Sequence, residues 1–369
     1  MRRIKAAVLH DSHSALVVES VELTELQPDD VLVKVRASGL CHTDLEVMRG
    51  DLQYPLPIVL GHEGAGIVED VGARVKHIQV GDHVICSWNP SCGQCYFCLR
   101  DQPTTCEVFL RTEARGHLMD DGSRLRLDGL ELHHYSAVSS HAEYCVVSSL
   151  GVVPVSKEIP FDRACLIGCG VATGVSAVTR VVRVEPETTV LVVGCGAVGL
   201  NVIQGARMAG AGTIVAVDTN PQKLEYAQVF GATHIVDAST ENPIDFVRSL
   251  TEGRGADYGF EAAGREASIR QTLEATRYGG AVVILGKTRM DDDVRIRFGS
   301  LVGDKTVVRS TYGGTRPHED FPILVSAYLQ GELMLDELVT TRLRLEDVNE
   351  GYARMEEPNC IRNVIVFDT

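Results

Sequence analysis

Apolar and polar residues alternate through Val31-Leu-Val-Lys-Val-Arg36, the period of a half-buried strand whose side chains face a core and solvent by turns. Positions 61–84 continue in that manner, rich in valine and glycine, with Gly66, Gly72 and Gly81 dividing them into brief strands. Over 107–140 the pattern is polar and irregular and predicts a loop excursion. Near residue 170 the rhythm changes. From Thr189 onward, wholly apolar runs alternate with helical stretches. A strand at 190–193 precedes a helix over 199–210, and a strand at 214–217 precedes a helix over 221–230. Further strands follow at 234–236, 258–260 and 281–285. Unbroken apolar strands separated by helices predict an α/β region with a doubly wound parallel sheet, because such strands are buried on both faces. Past Gly313 the alternation loosens, and 306–312 reads as an edge strand able to pair with a second subunit.

The chain has 369 residues, enough for two domains, with 44% hydrophobic and 23% charged residues. A formal net charge of -15 argues against a nucleic-acid partner and against an anionic membrane surface. Arg2, Arg3 and Lys5 precede only a short apolar run, too brief for a signal-peptide core. The longest apolar stretch, taken as 190–200, is far below the length of a membrane span. The chain has 11 cysteines, an odd number, with no secretory signal; this predicts reduced thiols in a cytoplasmic protein, used as metal ligands.

Four of those thiols carry the strongest chemical signal. Cys92, Cys95, Cys98 and Cys106 form a C-x2-C-x2-C-x7-C run, with Gly93 and Pro103 letting the loop fold back. Four thiolates from one tight loop suit a tetrahedral zinc, and a filled coordination shell makes that zinc structural. Disulfides are the other reading, but neighbouring thiols in a strained loop are poorly placed to form them.

Gly194-Cys-Gly196-Ala197-Val198-Gly199 follows an apolar strand and opens a helix. The glycines admit a pyrophosphate to the backbone, and the helix N-terminus offers it free amides. Asp218 closes the next apolar run, about 20 residues further on, where a carboxylate accepts hydrogen bonds from ribose hydroxyls. That acid would repel the 2′-phosphate of NADP, no arginine follows it, and Lys223 is within reach of the ribose, so NAD is the expected cofactor. A glycine-rich turn in a sheet that binds nothing is the alternative.

Cys41, His62 and Cys169 supply a Cys2His set that suits a catalytic zinc with one open position. They lie far apart in the chain, and spacing alone leaves two buried cysteines and a core histidine equally open.

The segment Gly61-His-Glu-Gly-Ala-Gly66, followed by Gly72 and Val75, resembles the zinc signature of the medium-chain, zinc-dependent alcohol dehydrogenases. The four-cysteine lobe, the glycine turn and Ile361-Arg362-Asn363 fit that family in the same order over nearly the whole chain. The resemblance implies a GroES-like β-barrel catalytic domain over 1–170 and 313–369, with a Rossmann NAD-binding domain over 171–312. It implies two zinc ions per chain: one catalytic on Cys41, His62 and Cys169, one structural on the four-cysteine lobe. Glu63 would be a transient ligand and Asp44 would hydrogen-bond His62. Thr43 would hold the substrate hydroxyl and begin proton removal. His42 and Arg362 would touch the pyrophosphate, and Thr173 would pack on the nicotinamide. The alcohol oxygen would be stabilised as an alkoxide at the metal while hydride passes to NAD, reversibly. A homodimer or homotetramer is implied.

Some positions depart from the family pattern. Glu46 stands where relatives carry the histidine that completes a proton relay, so Glu46 or water would take the proton. Leu52 and Trp88 fall on the wall of the alcohol pocket, where Trp88 would stack on an aromatic substrate. Lys287 and Arg111 fall near the nicotinamide and the pocket mouth, as recognition groups for an acidic substrate or as solvated surface charges. The leading expectation is an NAD-dependent dehydrogenase acting on a small primary or aromatic alcohol or its aldehyde. A thiol-dependent formaldehyde dehydrogenase oxidising an S-hydroxymethyl adduct is its rival. A non-catalytic nucleotide-binding relative would lack the zinc trio, and a polyol dehydrogenase would carry glutamate at Cys169.

Overall fold

The computed structural model describes residues 2–289 and 291–367; Met1, Met290, Asp368 and Thr369, which include the outer ends of the expected catalytic domain, lie outside the described residues. The chain divides into two compact units, Met1–Cys169 with Arg316–Thr369, and Gly170–Thr315.

In the first unit, Arg2–Leu9, Val17–Leu23, Leu125–Leu127, Leu130–His134 and Ile58–Val59 close a small barrel. Beside it runs a sheet in the order Val152–Pro154, His83–Cys86, Glu63–Val71, Asp30–Gly39, Arg362–Val366, Val339–Leu343, with Tyr144–Ser148 also paired to Asp30–Gly39. The chain's two ends meet here: Val364 pairs with Gly39 and Ile365 with Ser38, antiparallel. The alternation at Val31, Val33 and Val35 buries those three valines in one cluster with Val68, Val84 and Val147. Each fully buried valine contributes roughly 1.5–3 kcal/mol.

The expected loop excursion over 107–140 is ordered instead. It forms the helix Glu107–Glu113 and the hairpin Leu125–Leu127/Leu130–His134. Phe109, Leu118, Leu125 and Leu132 are buried in one barrel cluster with Val8 and Val21. The strands span 3 and 5 residues, too short for period-two alternation to stand out from polar turns.

The second unit is a six-stranded sheet in the order His234–Asp237, Thr213–Asp218, Thr189–Val193, Ala256–Glu261, Thr276–Ile284, Thr306–Arg309. Every pairing is parallel. Leu191, Val193, Val215, Val217 and Val236 pack on one face with Val247 of the helix Pro243–Leu250. The strand order reverses between Thr189–Val193 and Ala256–Glu261, which opens a crevice at the carboxyl ends of those strands. Thr306–Arg309 is an edge strand.

One apolar run escaped the pattern reading. Phe161–Val181 is helical, and 72% of its most apolar window is buried within the protein, as in a core helix. Among the described residues it is the helix whose length and composition approach those of a membrane span, rather than 190–200.

Candidate active site

Cys41 precedes the short helix His42–Met48 in extended conformation, at φ -122° and ψ 151°. Asp44, three residues on and fully buried, gathers three donors. The backbone N–H of Cys41 reaches it at 3.2 Å, that of Gly61 at 3.0 Å, and His62 Nδ1 at 3.2 Å. One carboxylate thus caps the helix, fixes the turn before His62 and orients the imidazole. With its proton on Nδ1, the ring presents the Nε2 lone pair to a metal. The edges of Tyr135 and Trp88 flank His62, with ring centroids at 5.5 and 6.4 Å, and Tyr54 meets Tyr135 at 4.9 Å.

Cys169 sits in a wide helical turn, Ile167–Val171, with i→i+5 hydrogen bonding. Such turns bulge one residue out of an otherwise regular helix, often at functional sites. The ligand atoms of Cys41, His62, Glu63 and Cys169 all lie within 4.8 Å of one another. Ligands on a tetrahedral zinc stand about 3.8 Å apart by the usual bond lengths, so two thiols, an imidazole and a carboxylate at this closeness fit one zinc. A hydrogen bond from Cys169 pulls the Cys41 thiol well below the ordinary range, aided by His62 and opposed by burial. Sharing that proton pushes Cys169 up. Burial disfavours the imidazolium of His62, but Asp44 and Cys41 outweigh it and raise the ring's pKa. An ion that displaced the shared proton would take over this charge balance.

Glu63 is fully buried at the start of its strand. Its Oε2 accepts from Arg362 Nη2, while its Oε1 has no hydrogen-bond partner among the described residues. Burial pushes the Glu63 carboxyl up to about 7, against the pull of Arg362. A buried carboxylate with one unpartnered oxygen, beside two thiols and an imidazole, is a feature a metal would satisfy.

The ligand atoms of Cys92, Cys95, Cys98 and Cys106 also lie within 4.8 Å of one another. Gly93 takes φ 72°, a short helical turn begins at Pro103, and Cys106 leads into the helix Glu107–Glu113. The backbone N–H of Cys98 draws the Cys95 thiol down to about 6, and the N–H of Cys92 reaches Cys106 Sγ at 3.3 Å. Cys92, Cys95 and Cys98 pack on the barrel cluster, so this lobe is tied to the core.

In the second unit, Gly194 takes φ +98°, open to glycine at little cost. A Cβ on Gly199 would fall 1.8 Å from Gly194 O, so the helix Ala197–Met208 can start against the strand only with glycine there. No side chain caps that helix, which leaves the first amides, at Ala197 and Val198, for an anion. Asp218 braces the turn: its Oδ2 accepts from Cys195 N at 2.8 Å, and its Oδ1 from Thr219 N and Asn220 N at 2.8 and 3.0 Å. Lys223 lies half-buried in the next helix, Pro221–Phe230.

Comparison with known proteins decides the family. Residues 27–157 match the profile described as "Alcohol dehydrogenase GroES-like domain", and residues 197–330 match "Zinc-binding dehydrogenase". The chain is 40% identical over 365 residues to alcohol dehydrogenase class-3 of Myxine glutinosa, covering 98% of this chain and 97% of that one. It is 38% identical over 364 residues to the probable S-(hydroxymethyl)glutathione dehydrogenase 1 of Schizosaccharomyces pombe, covering 98% and 96%. The crystal structure of benzyl alcohol dehydrogenase from Acinetobacter calcoaceticus superposes with a TM-score of 0.94 at 31% identity, covering 100% of both chains. The chain belongs to the zinc-dependent medium-chain alcohol dehydrogenase family.

The remaining expected site residues of this dehydrogenase fall as follows. Thr43 is half-buried, with its Oγ1 3.8 Å from Cys41 Sγ. His42 is exposed and Glu46 half-buried in the same helix; the Glu46 carbonyl accepts from Asp51 N and Leu52 N. Leu52 packs on the cluster that includes Leu45, Ile58 and Tyr135, and Trp88 on both valine-rich clusters of the first unit. Arg111 is exposed in the helix Glu107–Glu113. In the second unit Thr173 is half-buried and Lys287 exposed. Arg362, expected to touch the pyrophosphate, is 6% exposed and paired with Glu63. The sequence reading missed that pair, and missed Tyr135 beside His62, because each depends on segments brought together from distant parts of the chain.

Proposed function

We propose that this dehydrogenase oxidises the hydroxymethyl carbon of a thiol–formaldehyde adduct, with NAD as hydride acceptor. The observation that carries the chemistry is the convergence of Cys41, His62, Cys169 and Glu63 on one point beside Asp44. The adduct as substrate is supported by the curated relatives, whose names are class-3 alcohol dehydrogenase and S-(hydroxymethyl)glutathione dehydrogenase. This favours the adduct over the plain primary alcohol that sequence motifs alone suggest.

Zinc bound at this cluster supplies a Lewis acid that eases ionisation of the substrate hydroxyl, and NAD supplies the hydride acceptor. Cys41, His62 and Cys169 would hold the ion, and their two thiolates would temper its charge. Asp44 fixes the His62 ring through Nδ1. Thr43 Oγ1 receives the hydroxyl proton and hands it outward, towards the exposed His42 side of the helix. Gly194, Gly196 and Gly199 admit the pyrophosphate to the amides of Ala197 and Val198, and Asp218 selects NAD by repelling a 2′-phosphate.

An aromatic alcohol is the second reading. Trp88 and Tyr135 flank His62, Tyr54 packs on Tyr135, and the benzyl alcohol dehydrogenase shares the whole fold. Steady-state rates with NAD separate the two. The adduct reading expects formaldehyde oxidation only when glutathione or mycothiol is added, with kcat/KM above that for benzyl alcohol. Benzyl alcohol turnover with no thiol-dependent formaldehyde oxidation gives the site to aromatic alcohols.

A further inference from the structure

The second unit contains a cavity of about 630 Å³ that none of the dehydrogenase chemistry uses. Arg248, Arg254, Arg277, Arg297 and Lys305 line it, against one carboxylate, Glu274. In a chain of net charge -15, such a concentration of cations is unexpected on composition.

Its place in the sheet separates it from the glycine turn. Arg254 lies just ahead of the strand Ala256–Glu261, Arg277 is the second residue of Thr276–Ile284, and Lys305 immediately precedes Thr306–Arg309. The cavity therefore sits at the amino ends of these parallel strands. Gly194 follows the last residue of Thr189–Val193, and Asp218 ends Thr213–Asp218, so the dinucleotide turn sits at the carboxyl ends.

Part of the positive charge has a local structural role. Lys305 Nζ donates to Leu273 O at 2.6 Å, and Arg248 Nη2 to Glu274 O at 3.4 Å, so both close the carbonyl end of the helix Glu266–Ala275. Arg277 Nε donates to Asp257 at 2.6 Å and its Nη1 to Tyr278 O at 2.8 Å, Arg254 Nη1 donates to Glu252 at 2.7 Å, and Arg297 Nη2 stands 3.4 Å from Glu274. Even with Asp257 and Glu252 included, cations outnumber carboxylates. A guanidinium carries five N–H donors, and the bonds named use one or two of each. Burial, with Arg248 nearby, lowers the pKa of Lys305, as in a partly desolvated basic site. Charge-assisted bonds gain strength in such a place.

We propose that this cavity is a second anion site of the enzyme, taking a small molecule that bears two or more phosphate groups. Its volume lies within the roughly 300–1,000 Å³ of ligand pockets and exceeds the need of a single ion. Forked guanidinium groups match phosphate oxygens in pairs.

Calorimetric titration of the zinc-loaded enzyme with inorganic pyrophosphate, in saturating NAD so that the glycine turn is filled, tests this. Expected is one saturable site per chain, weakened at least about tenfold by Arg254→Glu with Arg297→Glu, with NAD affinity unchanged. Those two side chains are 61% and 69% exposed, so their reversal leaves the fold intact. The single variant Arg297→Glu, with a smaller loss, serves should the double variant express poorly. Absence of saturable binding, equal affinity in the variants, competition with NAD, or equal affinity for citrate at the same ionic strength would each overturn the proposal.

Discussion

Arg362 and Glu63 form an ion pair across 299 residues of chain, each at the first position of its strand. The strand between them contributes Gly39, whose absent side chain makes room: a Cβ there would lie 2.2 Å from Glu63 Oε2 and 3.1 Å from Arg362 Nη2. The pair engages one oxygen of a fully buried carboxylate that belongs to the metal cluster, and leaves the other without a hydrogen-bond partner among the described residues.

Removing the guanidinium strands that carboxylate. Arg362→Ala is expected to lower unfolding free energy at pH 7 by about 1–3 kcal/mol, less than a stranded buried charge would cost, because the Glu63 carboxyl then takes up a proton. Arg362→Ala with Glu63→Gln should recover part of it. Urea midpoints at pH 7 for the two variants check this, and equal losses would mean that the pair contributes nothing as a pair.

Asp44 acts on the metal through His62 Nδ1. Asp44→Asn is expected to weaken zinc at the Cys41 cluster by roughly 10- to 100-fold, the usual effect of losing such a partner. Zinc content after graded chelator competition shows it: about one equivalent should leave earlier than in the parent, while the four-cysteine lobe keeps its own.

The lobe itself is joined to the barrel through Cys92, Cys95 and Cys98. Cys106→Ser leaves three thiols, so zinc content should fall by about one per chain and the thermal midpoint should drop. The share of the midpoint's response to added zinc that comes from the lobe should be lost, leaving only that of the Cys41 cluster. An unchanged midpoint would mean the lobe folds without its metal.

His134 sets an acid limit. Its Nε2 accepts from Arg124 N at 3.1 Å, and burial beside the Arg124 guanidinium lowers its pKa to about 3. A free histidine titrates near 6.5, so the unfolded chain binds this proton first as pH falls. The stabilisation is complete above about pH 6.5 and is lost progressively towards pH 3. Between pH 7.5 and 5.0 this one group should cost about 2 kcal/mol. His134→Gln should flatten the dependence of urea midpoint on pH by that amount, and an unaltered slope would show that the ring is already charged.

The chain's local signals were enough for the parts built from neighbours in sequence. The four-cysteine run, the strand–glycine–helix turn and Asp218 each lie within one supersecondary unit, so spacing encoded their geometry. The parallel sheet showed in its apolar runs because both faces of each strand are covered. The hairpin at 125–134 did not show, since its strands are short and its buried leucines are interspersed with polar turns. The Cys41–His62–Cys169 set read only as a possibility until the family resemblance joined it. Three distant segments must converge, and one of them, Ile167–Val171, is an irregular helical turn. The pairing of Arg362 with Glu63 did not show, because nothing near Arg362 in sequence names its partner.

The most direct measurement is an anomalous difference map at the zinc absorption edge from crystals of the enzyme grown with zinc. Two peaks per chain are predicted, one among Cys92, Cys95, Cys98 and Cys106 and one bounded by Cys41, His62 and Cys169. A single peak at the four-cysteine lobe, with Cys41, His62 and Cys169 directed apart, would contradict the proposed catalytic site.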